Sequence, residues 1–417
     1  MKVFKFGGAS VSTIERIKKV GELLGSYKDE KILVVISAMG KTTNALEAVT
    51  NAFYAGDSST ALRLFDVIKE QHADLATQII PFPVTQLTDF FTEIEWLLHD
   101  KPVKNYDYYY DQIVCAGELL STAIVSYYLT GVGLQNSWVD IRDVVRTDNN
   151  FRDATIDWDV TTEKTEQNIK PLFKENNIVL TQGFIGATDE NQSTTLGREG
   201  SDYTAALFAN ILNAESVTIW KDVQGVMNAD PKQYEKAQWI PELNYREVIE
   251  MAYYGAQVIH PKTIKPLQNK GIPLYVKSFV NPAADGTLIH AKHILQLPPI
   301  LVFKYKQVMM ELRSKDFSFV SEGLSGALYQ MFEKINLKPN LTQNGAIGFI
   351  CVVDEHPEKV EQLAHEAGHL FHVQVERNLT LLTIRHYNAE IISELCKDRI
   401  IILQQQTRET IQFLMQE

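Results

Sequence analysis

The chain has 417 residues, enough for two or three domains, and its 45% hydrophobic and 22% charged content is typical of globular proteins. A net charge of −12 argues against nucleic acid or an anionic membrane as the main partner. Three widely spaced cysteines in no metal-like pattern predict reduced core thiols and a cytoplasmic location. The N-terminus lacks a signal-like pattern, and no apolar run reaches the ~18 residues of a membrane span.

Polar or glycine-bearing segments follow the first two predicted strands. The strand at 1–6 delivers Lys5 to Gly7 and Gly8, and a helix follows. Strand, glycine turn and helix form a phosphate-binding layout, although a simple tight turn has the same pattern. The strand at 31–38 is a continuous apolar run, typical of a parallel strand covered on both faces. Polar residues at its carboxyl end therefore lie where open α/β sheets bind ligands.

Residues 44–130 have helical spacing. The tyrosines of the cluster at 106–110 fit packing better than stacking on a base. Further on, Gly117 and Glu118 open an apolar helix. Glu118 is either a favourable first-turn charge or a carboxylate directed at the ammonium group of a substrate.

The segment 178–212 contains the clearest candidate site. A buried strand at 178–182 is followed by a glycine loop and by a helix that starts at Asp202, with Ser201 as its N-cap. Glycines, a helix N-terminus and Arg198 together favour an anion. Asp202 would repel that anion unless a metal ion or a lysine ammonium lies between them. An ordinary capped helix with a surface arginine and aspartate explains the same residues.

A further strand, at 216–220, ends in Lys221 and Asp222, again at the edge of the sheet where ligands collect. His260 precedes a proline at a helix start, which predicts a capping histidine and not a catalytic one. The remaining elements of this part are two helices and a strand, at 244–254, 260–269 and 273–279.

Prolines 298 and 299 mark a linker, beyond which the sequence changes to short alternating segments. These segments predict a ferredoxin-like unit, with strands at 308–312, 347–353, 371–375 and 379–384 and helices at 322–335 and 358–367. The tail predicts a helix, a strand at 400–404 and a final helix. The fold class is therefore α/β, an open and mostly parallel sheet sandwiched by helices, followed by ferredoxin-like α+β structure.

Seven motifs occur in a fixed order: KFGGAS (5–10), DIR (140–142), QGFIG (182–186), TLGREGSDY (195–203), DVQGV (222–226), DP (230–231) and GAQVIHP (255–261). This series closely resembles the aspartokinases of the amino acid kinase superfamily over about the first 295 residues. The remainder resembles ACT-type regulatory modules.

The resemblance implies transfer of the γ-phosphoryl group of ATP, with Mg²⁺, to the side-chain carboxylate of L-aspartate. A carboxylate with a pKa of ~3.9 is already ionised at neutral pH and needs no general base, which agrees with the absence of an evident catalytic histidine. Two alternatives stay open. One is a related kinase for glutamate, acetylglutamate or a nucleoside monophosphate, and the other is an amino-acid sensor without turnover.

The resemblance also implies three sets of site residues. Lys5 would stabilise the transferring phosphoryl group, and Asp202 would hold Lys5 or the magnesium in register. L-Aspartate would be bound by Ser37, Thr43, Glu118, Arg198 and Ser201. The nucleotide would be bound by Gly7, Gly8, Lys221, Asp222, Lys232 and Gln257.

The domain organisation follows from the same resemblance. It implies a catalytic domain at 1–295 and an ACT-like regulatory region at 300–417. The region after Pro299 is too short for two full modules, so we expect one complete module at about 300–378 and a reduced one at about 379–417. A homodimer or higher homo-oligomer would form through this region.

Some positions depart from the family pattern. Ala9, Glu199 and Met227 stand where the family usually has Thr, Gly and Tyr, and Gln257 stands where it often has Lys. Extra negative charge at Glu199 and the missing lysine at position 257 predict weaker ATP affinity. Asn340 replaces an aspartate frequent in the family's effector pocket, which predicts weak or absent feedback inhibition by lysine or threonine.

Overall fold

The computed structural model describes residues 1–316, 319 and 322–416. The chain folds into two compact units. The first comprises Met1–Val226, Trp239–Ile249 and Gln257–Ile294, and the second comprises Met227–Gln238, Glu250–Ala256 and Leu295–Glu417.

A mostly parallel sheet forms the centre of the first unit. Its strands, together with the short hairpin β5–β6, are β1 (Lys2–Phe6), β2 (Ile32–Ile36), β3 (Asn136–Val139), β4 (Ile178–Gln182), β5 (Ile185–Ala187), β6 (Ser193–Thr195), β7 (Ser216–Lys221), β8 (Glu242–Asn244), β9 (Leu274–Ser278) and β10 (Thr287–His290). The order across the sheet is β3-β4-β2-β1-β7-β9-β10-β8. Neighbouring strands run parallel, except for β9 and β10, which pair antiparallel.

The parallel strands read as apolar runs because both faces of the sheet are covered. Every residue of β2 and of β4 is buried, as predicted for the segments 31–38 and 178–182. Strands β8 and β10 were not predicted from the sequence. They contain three and four residues, too few to establish a strand period.

The helices that accompany this sheet are α1 (Ile14–Gly25), α2 (Thr42–Tyr54), α3 (Ser58–Ile79), α4 (Thr85–His99), α5 (Tyr106–Val114), α6 (Ala116–Gly131), α7 (Trp158–Asn168), α8 (Gly200–Ile211), α9 (Tyr245–Tyr254) and α10 (Pro261–Lys270). The stretch Tyr106–Gly131 is apolar and long enough to cross a membrane, but 89% of its most apolar window is buried inside the fold. That burial is typical of a core helix. Tyr109 packs among the buried side chains of this region, in agreement with the packing interpretation of the tyrosine cluster.

The second unit is built on an antiparallel sheet in the order β12-β13-β11-β14-β16-β15. In chain order its elements are β11 (Ile300–Ser314), α11 (Glu322–Ile335), β12 (Pro339–Asn344), β13 (Gly348–Asp354), α12 (Pro357–Ala367), β14 (Phe371–Arg385), α13 (Ala389–Cys396), β15 (Ile401–Gln406) and β16 (Thr410–Gln416). Leu328 and Phe332 of α11 pack with Val360 and Leu363 of α12 in one buried cluster against the sheet.

Three sequence predictions for this unit were wrong. The two strands expected at 371–375 and 379–384 are one strand, β14, whose pairing with β11 shifts register next to Asn378, which has a left-handed backbone. Strand β12 was not predicted. The final helix is the strand β16, which lies between β14 and β15 and is buried at six of its seven residues. Burial on both faces removes the alternation that would have revealed a strand.

The cysteines are free, as expected. Cys115 and Cys351 are buried, whereas Cys396 is only half-buried. Burial raises the pKa of the Cys115 and Cys351 thiols to about 12, so both are protonated at neutral pH.

Candidate active site

The ends of β1 and β2 form the first part of the site. The backbone N–H of Gly40, after β2, donates to the carbonyl of Gly8, after β1, at 3.0 Å. A Cβ atom on Gly8 would lie 2.4 Å from the carbonyl oxygen of Ala38. Only glycine therefore fits at position 8, and the backbone of the glycine turn lies directly against the neighbouring strand end.

Gly8→Ala is expected to destabilise the protein by about 1–3 kcal/mol, because the new methyl group overlaps a backbone oxygen that cannot move freely. Gly7→Ala is the matched control. A Cβ atom there meets only Lys5 Nζ, at an ordinary van der Waals distance of 3.5 Å. Denaturant unfolding of both variants measures the difference, and equal stabilities would contradict this steric account.

Lys5 and Asp202 form a buried ion pair. Lys5 Nζ lies 2.6 Å from Asp202 Oδ1, and the two side chains are 11% and 5% exposed. Asp202 lies in the first turn of α8, where the helix dipole also favours a carboxylate. The lysine ammonium is thus the cation that the sequence required beside Asp202.

The predicted start of α8 was wrong by two residues. The helix begins at Gly200, and the N-cap position belongs to Glu199, whose backbone is left-handed (φ 55°). Ser201 is therefore inside the first turn, where it packs against Gly183. Close contact between the Gly183 turn and the helix start explains the shift, because a Cβ atom on Gly183 would lie 2.5 Å from Ser201 Cβ.

Four of the five residues predicted to bind aspartate line a single cavity of about 370 Å³. They are Ser37, Thr43, Glu118 and Arg198, while Ser201 is not on its wall. The remaining lining residues are Tyr110, Arg152, Phe184, Thr195, Gly197 and Glu199.

Glu118 is the buried carboxyl group of this cavity. Its Oε1 accepts the backbone N–H of Ala38 at 3.2 Å, and its Oε2 is buried without a hydrogen-bond partner in the part of the chain that the structure describes. Burial raises the pKa of Glu118 to about 8, against the opposing effects of the Ala38 N–H and the Lys5 charge. A cation entering the cavity would find an open oxygen at Oε2, in agreement with the ammonium-binding interpretation.

The carboxylate of Glu199 is hydrogen-bonded to the residue that precedes α10. Its Oε2 accepts the backbone N–H of His260 at 2.8 Å. The side chain of His260 in turn accepts the N–H of Lys262 at 3.1 Å and caps α10, so the predicted capping role of this histidine is confirmed. Glu199 therefore ties the loop that carries Arg198 to the start of α10.

Asp111 is a buried residue of the site that sequence reasoning missed. Its carboxylate accepts the backbone N–H groups of Arg152 and Thr195, both at 2.9 Å, and the Thr195 hydroxyl at 2.7 Å. Desolvation raises the pKa of Asp111 to about 6 despite these three hydrogen bonds. One sequence signal could have identified Asp111. It is an acidic residue in an apolar helical stretch, seven positions, or two helical turns, before Glu118.

The residues predicted for the nucleotide are spread over both units. In the first unit, Lys221 at the end of β7 donates from Nζ to the Val258 carbonyl at 3.0 Å, which brings it beside Gln257, and both Asp222 and Gln257 are exposed. Lys232 belongs to the second unit. Among the residues described, no group of three His, Cys, Asp or Glu side chains is arranged to hold a metal ion.

Comparison with known proteins agrees with this arrangement. Residues 1–278 match the Amino acid kinase family, so the site belongs to that class of phosphotransferase. Lysine-sensitive aspartokinase 3 of Escherichia coli (strain K12) is 31% identical over 394 residues, which cover 92% of this chain and 86% of that protein. The chain belongs to the aspartokinase family.

Two solved structures of E. coli aspartokinase III are similar over nearly the whole chain. The complex with aspartate and ADP (R-state) has a TM-score of 0.81 at 27% identity and covers 100% of this chain and 96% of that one. The complex with lysine and aspartate (T-state) has a TM-score of 0.80 at 28% identity and covers 99% and 95%. The predicted family and α/β fold class are therefore confirmed.

Proposed function

We propose that this chain transfers the γ-phosphoryl group of ATP to the side-chain carboxylate of L-aspartate, giving 4-phospho-L-aspartate and ADP. This is the first step in the biosynthesis of lysine, threonine and methionine. The observation that carries the proposal is the cavity that joins Arg198, a cation for a carboxylate, to the open oxygen of Glu118, an acceptor for an ammonium group. Ser37 and Thr43 add hydroxyl groups to the same wall.

The chemistry needs charge neutralisation and alignment, and no proton transfer. An oxygen of the substrate carboxylate attacks the γ-phosphorus, the bond from that phosphorus to the bridging oxygen breaks, and ADP leaves. Lys5, held by Asp202, neutralises charge on the transferring group, while Gly7 and Gly8 offer backbone N–H groups to the phosphates. Lys221, Asp222, Lys232 and Gln257 would bind the rest of the nucleotide.

Mg²⁺ would arrive with ATP and neutralise phosphate charge. The described residues offer no three-ligand metal cluster, so its ligands would be mostly phosphate oxygens. The exposed carboxylate of Asp222 is one protein group suited to it, and Asp202 is the other candidate.

We assign the reaction to residues 1–295 and regulation to residues 300–417. A homodimer or higher homo-oligomer formed through the second unit fits the exposed Ile400 and Ile401 at the start of its edge strand β15. The free cysteines fit a reducing compartment such as the cytoplasm.

We also propose that lysine and threonine inhibit this chain weakly or not at all. Asn340 accepts Lys304 Nζ at 2.6 Å and donates from Nδ2 to Gln307 at 2.8 Å and to Asp354 at 2.9 Å. Both Nδ2 hydrogens are thus used, Oδ1 already accepts one hydrogen bond, and the side chain carries no charge for an effector's ammonium group. A lysine ammonium of the chain itself already occupies its oxygen.

A hydroxylamine-trapping assay with MgATP tests both proposals. We expect hydroxamate from L-aspartate and none from L-glutamate or N-acetylglutamate, with little change when lysine or threonine is added. Hydroxamate formed from another acid would leave the fold assignment standing and would overturn the assignment of L-aspartate as the substrate. Binding of ATP or aspartate without any turnover would favour a sensor, and sub-millimolar inhibition by either amino acid would overturn the regulatory proposal.

A further inference from the structure

Arg152 lies on the wall of the cavity, although no sequence motif predicted it there. Its backbone is left-handed, with φ at 71°, a conformation that glycine adopts freely and arginine adopts only at a free-energy cost. Such strained residues persist where the surrounding structure holds them, and they cluster at functional sites.

The guanidinium group of Arg152 is fixed by neighbours on α5. It stacks over the ring of Tyr110, with 4.4 Å from Cζ to the ring centroid, and lies 5.6 Å from the centroid of Tyr106. Nη1 donates to Asp107 Oδ1 at 3.2 Å. The other N–H donors of the group have no hydrogen-bond partner among the residues described, and the side chain is 43% exposed. Arg152 thus presents an oriented cation with free donors.

The backbones that carry Arg152 and Arg198 are held together. Asp111 binds the N–H of Arg152 and the N–H of Thr195, the last residue of β6, and the loop that carries Arg198 follows directly. At Gly197 a Cβ atom would lie 3.3 Å from the carbonyl oxygen of Arg152, so the two loops touch. The two arginines therefore line one cavity on connected segments.

The charges of the cavity favour a carboxylate between these arginines. Glu118 is mostly protonated at neutral pH, because burial raises its pKa to about 8. The Glu199 carboxylate is bound to the N–H of His260. Lys5 does not line the cavity, and in the proposed reaction the β-carboxylate points toward Lys5 and the phosphoryl group that Lys5 stabilises. The carboxylate that remains inside is the α-carboxylate.

We propose that Arg152 is a specificity-determining residue that binds the α-carboxylate of the substrate together with Arg198. This role rests on the proposed function. A purely structural arginine, kept for its stacking on Tyr110, is the competing explanation.

The test compares L-aspartate with its α-amide, which keeps the ammonium group and the β-carboxylate but lacks the α-carboxylate charge. Wild type, Arg152→Gly and Arg152→Asn are assayed for kcat and KM at saturating MgATP, and the amide serves as a competitive inhibitor if it is not turned over. Glycine and asparagine both suit a left-handed backbone, so the variants remove the cation without new strain. Thermal unfolding confirms that they fold.

Both variants should lower kcat/KM for L-aspartate by about 10- to 100-fold, mainly through KM, as expected for one charged hydrogen-bonding group. The KM for ATP and the kinetic constants for the α-amide should change less than about twofold. Arg152 would contact the α-carboxylate, which ATP and the α-amide both lack. Arg152→Lys, which keeps the charge, should fall between wild type and Arg152→Gly.

Two results would overturn the role of Arg152. One is unchanged KM for L-aspartate in Arg152→Gly, and the other is an equal loss with L-aspartate and with the α-amide. In either case activity of the wild type on L-aspartate leaves the proposed function standing. A wild type inactive on both compounds would overturn the proposed function and the Arg152 role together.

Discussion

Lys5→Met is expected to lower kcat by about 10³-fold or more. Lys5 Nζ is buried at the end of β1, and loss of a cation that stabilises a transferring phosphoryl group costs about 10³–10⁵ in rate in enzymes of this chemistry. Methionine keeps most of the apolar stem and removes the ammonium, so the lost rate reports the charge. Steady-state kinetics at saturating L-aspartate and MgATP measure the effect.

The same variant also leaves Asp202 as a buried carboxylate without its partner, which is expected to lower the free energy of unfolding by about 3–5 kcal/mol. The double variant Lys5→Met, Asp202→Asn removes both charges. It should recover most of the stability and none of the turnover. Recovery of turnover in the double variant would show that Lys5 acts only through the fold.

Glu118→Gln is expected to raise the KM for L-aspartate by about 10- to 100-fold, because the amide cannot form an ion pair with the substrate ammonium. In the wild type, a carboxyl group with a pKa of about 8 must lose its proton before it can pair. Wild-type kcat/KM for L-aspartate should therefore rise about tenfold between pH 7 and pH 9, in proportion to the ionised fraction. The variant should show little of this rise, and a parallel rise in both proteins would exclude Glu118 as its source.

Glu118 also predicts a pH dependence of folding stability. Its pKa in the folded chain is about 8, well above the value of ~4.3 for an unfolded glutamate. The fold thus favours the protonated form, so the stability linked to this proton is complete below about pH 4 and is lost as the pH rises through about 8. Thermal unfolding should show the wild type losing more stability than Glu118→Gln between pH 7 and pH 9. Equal losses would contradict a raised pKa of Glu118 in the folded chain.

The sequence by itself determined the elements whose pattern is local. The apolar runs of β2 and β4 and the helical spacing of α9 and α11 predicted these elements within one or two residues. The ordered motifs identified the family, since glycines and charges at strand ends are required where a backbone must approach phosphates. Four of the five residues predicted to bind L-aspartate line one cavity.

Only the tertiary structure decided the features that join distant segments. Asp111 and Thr195 are 84 positions apart, and Glu199 and His260 are 61 apart, so nothing in the local sequence indicates that they are bonded. Helix α8 starts at Gly200 and not at the predicted Asp202, and a turn at Gly183 packs against its first residues. The sequence of β16 fits a helix as well as a strand. Its pairing with β14 along one edge and β15 along the other makes it a strand. Periodicity records which face of an element is buried, whereas hydrogen bonds across the fold depend on which elements meet.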